Sequence, residues 1–281
     1  MRLGLALPLA TSAEDIREQV ALAVAAEQAG YTSVWVPEAY GSDAVSLLAT
    51  IAAATSRIDI CSGVLQIPAR TPAMTAMTAA GLDAVSGGRF RLGLGVSGPQ
   101  VSEGWHGVAF ADPLGRTSEY VAIVRQALSR RRVTADGPHF PLPLAGGQGK
   151  PLALALHPER PEIPVYLAAV GPKSVALAGT VADGWLAIFF DTGFSDGGDG
   201  AGAVTPFHEA ARAAGRDPAA LDVVAQVPVS LGPDAATAAE RVRPYAALYV
   251  GGMGSKKTNF YHGIATRMGY GEAANAVQER F

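Results

Sequence analysis

Short apolar runs alternate with amphipathic stretches from the start of the chain. Leu3 to Leu9 (LGLALPL) is a short apolar run followed by Thr11-Ser12, and it predicts a first strand. Ser12 then caps a helix, with Asp15 three residues on in the capping-box position, and Ile16, Val20 and Val24 recur on one face until Gly30 ends it. Ser33 to Val36 reads as strand two, closing on Pro37-Glu38-Ala39-Tyr40. A helix follows from Asp43 to Ser56 with Leu47, Leu48 and Ile51 inward, then strand three from Ile58 to Gln66. Pro72 suits the start of the next helix, which Met74, Met77 and Val85 mark, with Met74 and Met77 suited to its buried face, and Gly87-Gly88 stops it. Phe90 to Val96 is strand four. Apolar strands with short connections through helices predict a parallel sheet covered by helices.

The stretch from 105 to 163 is longer than one such repeat. It holds a helix from Thr117 to Arg131, with Tyr120, Ile123, Val124, Ala127 and Leu128 apolar, a hairpin from Val133 to Leu142, and a proline-rich connector. The strand–helix pattern then resumes, so this stretch is an insertion in a single domain spanning 1–281. Pro164 to Val170 is strand five, Lys173 to Ala182 a helix, and Gly184 to Phe190 strand six. Asp191 to Thr205 is a Gly-, Asp- and Ser-rich loop, Pro206 to Gly215 a helix, Val223 to Leu231 strand seven, and Asp234 begins a further helix. A TIM-type (β/α)8 barrel needs eight strands. Tyr245 to Val250 (YAALYV) is the remaining candidate, but it sits close behind a helix. The pattern therefore predicts an α/β barrel lacking its last strand, with a gap between strands one and seven.

Composition narrows the function classes. With 281 residues and 49% hydrophobic, the chain can bury one large core. A net charge of -3 gives no footprint for nucleic acid or an acidic membrane surface, and no run reaches the roughly 18 apolar residues of a membrane span. The single cysteine, Cys61, lies in an apolar run and excludes a disulfide framework. No signal peptide is evident at the start, and the expected compartment is the cytoplasm. His106, His139, His157, His208 and His262 have no metal-ligand spacing, so no metal is expected.

The chemistry concentrates in Arg89 to Gly107 (RFRLGLGVSGPQVSEGWHG), where a buried strand opens at Gly98-Pro99 into a loop carrying Glu103, Trp105 and His106. Such a strand-end loop is how an α/β protein builds a ligand site. Gly93-Leu94-Gly95-Val96-Ser97-Gly98 matches the spelling of a dinucleotide fingerprint. It lies at the fourth strand and runs into Pro99 rather than at the first strand and straight into a helix, so that reading fails. Ser62-Gly63-Val64 is either a strand bulge or an unusual peptide geometry that presses backbone against a flat ligand. Glu38, at a strand end, either caps the next helix or points into the barrel mouth. Val170-Gly171-Pro172-Lys173 is either a tight turn or a phosphate cradle at a helix start.

Five stretches together carry a resemblance: PEAYGSDA (37–44), SGVLQIPARTPAMTA (62–76), GGRFRLGLGVSGPQVSEGWHG (87–107), PVYLAAVGPKSVAL (164–177) and ADGWLAIFF (182–190). They resemble the luciferase-like flavin and deazaflavin oxidoreductases, most closely the branch dependent on coenzyme F420. The resemblance implies an (α/β)8 barrel with the deazaflavin at its C-terminal mouth, and a final helix and strand beyond the point matching Phe281. It implies a non-proline cis peptide at Gly63-Val64, which with Leu65 would buttress the ring. Glu38 would sit beside it. Trp105 would join the cofactor wall, and the cofactor's phosphate would lie near Ser97, Gly98, Pro99, Gln100 and Val101 and near Val170, Gly171 and Pro172. Catalysis would be hydride transfer to or from a small organic substrate. Trp105, Phe189, Phe190 and the loop from Asp191 suggest a largely apolar one, with Glu38, Glu103 and His106 as candidate proton donors. The alternatives are an FMN-dependent monooxygenase of the same superfamily and a cofactor-free relative without activity. The resemblance also implies a homodimer.

Overall fold

The computed structural model describes residues 2–160, 162–190, 204–256 and 259–281. Its strands are β1 (Gly4–Ala6), β2 (Ser33–Val36), β3 (Asp59–Ser62), β4 (Leu65–Gln66), β5 (Phe90–Gly95), β6 (Val165–Ala168), β7 (Gly184–Ile188) and β8 (Asp222–Gln226). Its helices are α1 (Ala13–Gln28), α2 (Ala44–Ala54), α3 (Pro72–Ser86), α4 (Pro99–Ser102), α5 (Pro113–Leu128), α6 (Pro172–Val181), α7 (Val204–Ala213), α8 (Ala235–Ala247), α9 (Phe260–Ala265) and α10 (Gly271–Gln278). The sheet order is β1-β2-β3-β5-β6-β7-β8, with β4 beside β5, and β1–β2, β2–β3, β3–β5, β4–β5 and β5–β6 all pair in parallel. Two compact units divide the chain, Met1–Ala168 with Val181–Trp185 and Ala220–Asp222, and Ala169–Thr180 with Leu186–Ala219 and Val223–Phe281. No helix among the described residues is long and apolar enough to cross a membrane.

In the first unit, local signals in the sequence are obeyed closely. Ser12 accepts from the Asp15 N–H, and the Asp15 carboxylate accepts from the Ser12 N–H, which completes the capping box of α1. The face of α5 carrying Tyr120, Ile123, Val124, Ala127 and Leu128 is buried. At the other end of α1, Glu27 accepts from the N–H groups of Ser56, Arg57 and Ile58. Those bonds, the Ile58 N–H first, hold its carboxyl down at about 2 against an ordinary 4.5. A carboxyl lowered in the folded state stabilises the fold above its unfolded value and loses that contribution as pH falls. Glu27 should therefore help fully above about pH 4.5 and progressively less toward pH 2. Glu27→Gln should lower the melting temperature by a few degrees at pH 7 and leave it nearly unchanged near pH 2; an equal drop at both pH values would count against this role.

Three elements differ from the pattern's prediction. On α3, Met74, Met77 and Val85 are 53%, 56% and 61% exposed, and the inward face is Thr75, Ala76, Ala79, Ala80, Leu82 and Asp83. Small residues let α3 pack closely against α2 and α5, so the larger side chains are left outside. The strand predicted to reach Leu231 ends at Gln226, and Val227, Val229 and Leu231 are exposed. Pro228 lacks the N–H a strand there would need. Tyr245 to Val250 is helical, ending α8 and entering a π-helical turn over Leu248–Gly252. Among the described residues the sheet order thus ends at β1 and β8, without an eighth strand of the repeat.

The predicted third strand is interrupted, and the interruption shapes the site. Cys61 lies opposite Arg91 and Leu65 opposite Leu94, so residues 62–64 on one strand face only 92 and 93 on the other. That is a bulge, and the Gly63-Val64 bond within it is cis. Buried Ser62 spans the break: its Oγ donates to the Gly93 carbonyl at 2.9 Å and accepts from the Gly93 N–H at 2.8 Å.

The first unit also holds a polar cluster toward the N-terminal ends of β3, β5 and β8. Arg91 donates to Asp59 and to the Tyr166 hydroxyl, and that hydroxyl donates to Asp222, which Arg2 also reaches. Burial pushes the Tyr166 hydroxyl up to about 12, so it stays a donor. In the second unit, α6 approaches α7 so closely that a Cβ on Gly179 would stand 2.1 Å from the Phe207 carbonyl oxygen. Phe189 there packs with Tyr245, Tyr249 and Tyr261, ring centroids 5.7 to 5.9 Å away.

Candidate functional site

Two polar side chains of the first unit that the sequence singled out, Glu38 and His106, meet through Gln66 where β2, β4 and β5 end. Glu38 lies two residues past β2, and its side chain is 7% exposed. Arg70 grips it with two parallel bonds, Nη1 to Oε2 at 2.6 Å and Nη2 to Oε1 at 2.8 Å. The Gln66 N–H donates to Oε2 at 3.1 Å, and the Ala44 N–H at the start of α2 donates to Oε1 at 3.3 Å. Arg70 Nη2 also reaches Asp43, the N-cap of α2, at 2.6 Å. Burial alone would lower the Arg70 pKa, but the bonds and charge of Glu38, helped by Asp43, raise it instead. Glu38 therefore accepts from the first N–H of α2, as the capping reading expects, and links that helix start to Gln66 and Arg70. N–H donors on both oxygens fix its carboxylate in place.

Gln66 carries this network onward. Its Nε2 donates to the Glu38 carbonyl at 2.9 Å, and its Oε1 faces His106 Nε2 at 2.7 Å. Two candidates, 28 and 40 residues from their common partner, are thus joined through one amide. The third, Glu103, is exposed and accepts from the Phe110 N–H at 2.9 Å, so it ties down the loop after α4. Trp105 is exposed beside it.

The cis bond between Gly63 and Val64 lies on a tightly packed floor. A Cβ on Gly63 would stand 3.2 Å from Trp35 Cβ, and a Cβ on Gly95 would stand 2.6 Å from Val64 Cγ2. Leu65 is buried against Leu94. Cys61, just before the break, is fully buried, and burial pushes its thiol well up, which leaves it an inert core residue.

After β5 the backbone turns at Ser97, whose φ of 61° is left-handed, and Gly98 caps α4 without a side-chain bond. The N–H groups of Val101 and Ser102 fold back onto the Gly98 carbonyl. A Cβ on Gly98 would meet only Gln100 Oε1, at 3.6 Å, so this loop is open to approach. In the second unit, α6 opens at Pro172, directly after Val170-Gly171, and Ser174 Oγ donates to the Gly171 carbonyl. Arg267 donates to the Val170 carbonyl at 3.1 Å, bringing a guanidinium to this helix start. Among the described residues, no three His, Cys, Asp or Glu side chains group as metal ligands would. Asp191 and the residues after it to 203 lie outside the described residues.

Gln66, Arg70 and Arg267 escaped the reading of the sequence. The first two lie inside SGVLQIPARTPAMTA, so the stretch was visible although their partners were not. Arg267 is far from Val170 in sequence and gave no signal.

The luciferase-like monooxygenase profile matches residues 1–281. The chain belongs to that family. Rv3520c of Mycobacterium tuberculosis (strain ATCC 25618 / H37Rv), a protein named for coenzyme F420-dependent oxidoreductase activity, is 43% identical over an alignment 298 positions long, which covers 100% of this chain and 81% of that one. The 5,10-methylenetetrahydromethanopterin reductase of Methanolobus tindarius is 34% identical over 228 residues, covering 81% of this chain and 65% of the relative. Among solved structures, the coenzyme F420-dependent tetrahydromethanopterin reductase of Methanopyrus kandleri superposes with a TM-score of 0.77 at 24% identity, covering 98% of this chain and 82% of that one. That likeness shows the fold, the α/β barrel type that the resemblance implies.

Proposed function

We propose that the protein is an F420-dependent oxidoreductase that transfers a hydride between the deazaflavin and a small, largely apolar organic molecule. The observation that carries this reading is the 43% identity, over the full chain, to a relative named for that activity. The residues present fit the group. The bulge at Gly63-Val64 and Leu65 offers backbone and apolar surface for a flat ring, with Glu38 organising the loop behind it. Ser97, Gly98, Pro99, Gln100 and Val101 form an open loop that backbone-recognised polar groups can approach. In the second unit, Val170, Gly171 and Pro172 with Arg267 make a cationic helix start suited to phosphate. When bound, reduced F420 supplies the hydride. The chain's own residues then bind, orient and exclude water, and His106 is the side chain placed to hold or release a proton. Trp105, Phe189 and Phe190 supply apolar wall in their respective units.

Tryptophan fluorescence, titrated separately with F420 and FMN, tests this. Trp35 packs under Gly63 and Trp105 lies on the loop after α4. Quenching at roughly micromolar F420 but not FMN is expected. The reverse preference would make the protein an FMN-dependent monooxygenase, and no response to either would favour a cofactor-free relative.

The reading includes a homodimer in the cytoplasm. Met74 and Met77, both exposed and three residues apart on α3, support self-association, because exposed apolar side chains grouped on one face mark interaction surfaces. Met77→Glu should convert a dimer to a monomer in analytical ultracentrifugation while changing stability by about 0.5 kcal/mol or less. An unchanged sedimentation coefficient would move the interface elsewhere.

A further inference from the structure

His106 is joined to the rest of the mouth by the Gln66 side chain, and the chemistry of that amide's two neighbours fixes which way it points. The group 2.9 Å from one end of the amide is the Glu38 backbone carbonyl, which can only accept. The end facing it is therefore the NH2. The opposite end, facing His106 Nε2 at 2.7 Å, is therefore the carbonyl oxygen, which also only accepts. Nε2 must then carry the hydrogen. Turning the imidazole over would put a carbon against Gln66 and lose the bond. A neutral imidazole has a single N–H, so Nδ1 is left with its lone pair.

We infer that Gln66 is a positioning residue that holds His106 in the Nε2–H form, so that a proton exchanged with substrate moves at Nδ1. The anchor is rigid from both sides. Gln66 is 3% exposed and lies in the β4–β5 ladder opposite Gly95. Its N–H and its Nε2 both bond to Glu38, which is itself clamped by Arg70. Neither end of the amide can turn without leaving a buried group unpaired, which is the costly outcome. An imidazole pinned at one nitrogen presents the other in a fixed direction, and that orientation is what a general acid or base requires. The catalytic meaning rests on the oxidoreductase reading, whereas the tautomer does not.

Nitrogen-15 NMR of the full chain, labelled at histidine, tests it without cofactor or substrate. The His106 ring signals are assigned by their loss in His106→Asn. The wild type should show a single Nε2–H form with a solvent-protected ring N–H. Gln66→Met keeps the volume and removes the acceptor; its ring N–H should exchange at least about tenfold faster, the factor carried by one net hydrogen bond. Gln66→Glu restores an acceptor oxygen and should recover part of the protection, which a loss of packing would not. An Nδ1–H form in the wild type, or unchanged exchange in a folded Gln66→Met, would overturn the inference. If Gln66→Met does not fold, the wild-type tautomer and its ring N–H protection still decide. F420 titration of the wild type separates the two claims: a locked Nε2–H with no F420 binding removes the cofactor reading and leaves the hold of Gln66 on His106 standing.

Discussion

Glu38→Ala should lower folding stability by about 3–5 kcal/mol, the usual result of removing one partner of a buried ion pair. The side chains of Glu38 and Arg70 are 7% and 16% exposed, so water cannot readily replace what the carboxylate supplies. Without it, two guanidinium nitrogens and the N–H of Gln66 lose an acceptor, and Arg70 keeps only Asp43. The loss comes mainly from the groups stranded, and this separates it from a surface pair, where about 0–1 kcal/mol is usual. The double variant Glu38→Leu with Arg70→Met should therefore be less damaged than Glu38→Ala alone, because it strands no charge. Urea unfolding followed by circular dichroism reads both. A Glu38→Ala loss under about 1 kcal/mol would mean that the loops around it rearrange freely, and the site would not have the rigid organiser described above. The same variant should release the His106 ring, since Gln66 is held through Glu38.

The parts of this architecture that were legible in the sequence are those set by neighbours along the chain. The capping box of Ser12 and Asp15, the inward face of α5 and the apolar cores of β2 and β5 each follow from residues within a turn or two. What was not legible depends on partners far away. On α3 the size of a side chain suggested burial, but the inward face toward α2 and α5 is mostly small residues, and Met74 and Met77 face outward. At Glu38 the position at a strand end was informative, while its role came from Arg70, thirty-two residues later. The alternation at Val223 to Leu231 ran on past Pro228, which the strand did not. His106 looked like one isolated imidazole. Gln66, an uncharged residue that attracts no attention in a chemical reading, turns it into the end of a network. The bulge was legible as an alternative to the unusual peptide, and the two occur together.

Gly95→Ala should be costly for a single added methyl group, at about 2–3 kcal/mol, toward the upper end of overpacking effects. Its Cβ would lie 2.6 Å from Val64 Cγ2, with Val64 Cβ at 3.6 Å and Ala168 Cβ at 3.7 Å closing the other sides. Val64 is β-branched and has little rotamer freedom with which to move away. It is also one of the residues of the bulge, so the collision falls on the surface assigned to the ring, and F420 affinity should fall at least tenfold, about 1.4 kcal/mol. Val64→Ala in the same chain removes the obstructing methyls. The double variant should then be more stable than Gly95→Ala, with a coupling of about 1 kcal/mol or more, as expected for residues in direct contact. Gly98→Ala is the contrast. Its backbone is extended, its Cβ would meet only Gln100 Oε1 at 3.6 Å, and its stability should stay within about 0.5 kcal/mol of the wild type. A loss of F420 binding there without a loss of stability would mark Gly98 as a point of backbone approach by the cofactor, whereas Gly95→Ala should lose both together. Should Gly95→Ala prove as stable as the wild type, the close packing of Val64 over β5 would be wrong, and with it the assignment of that surface to the ring.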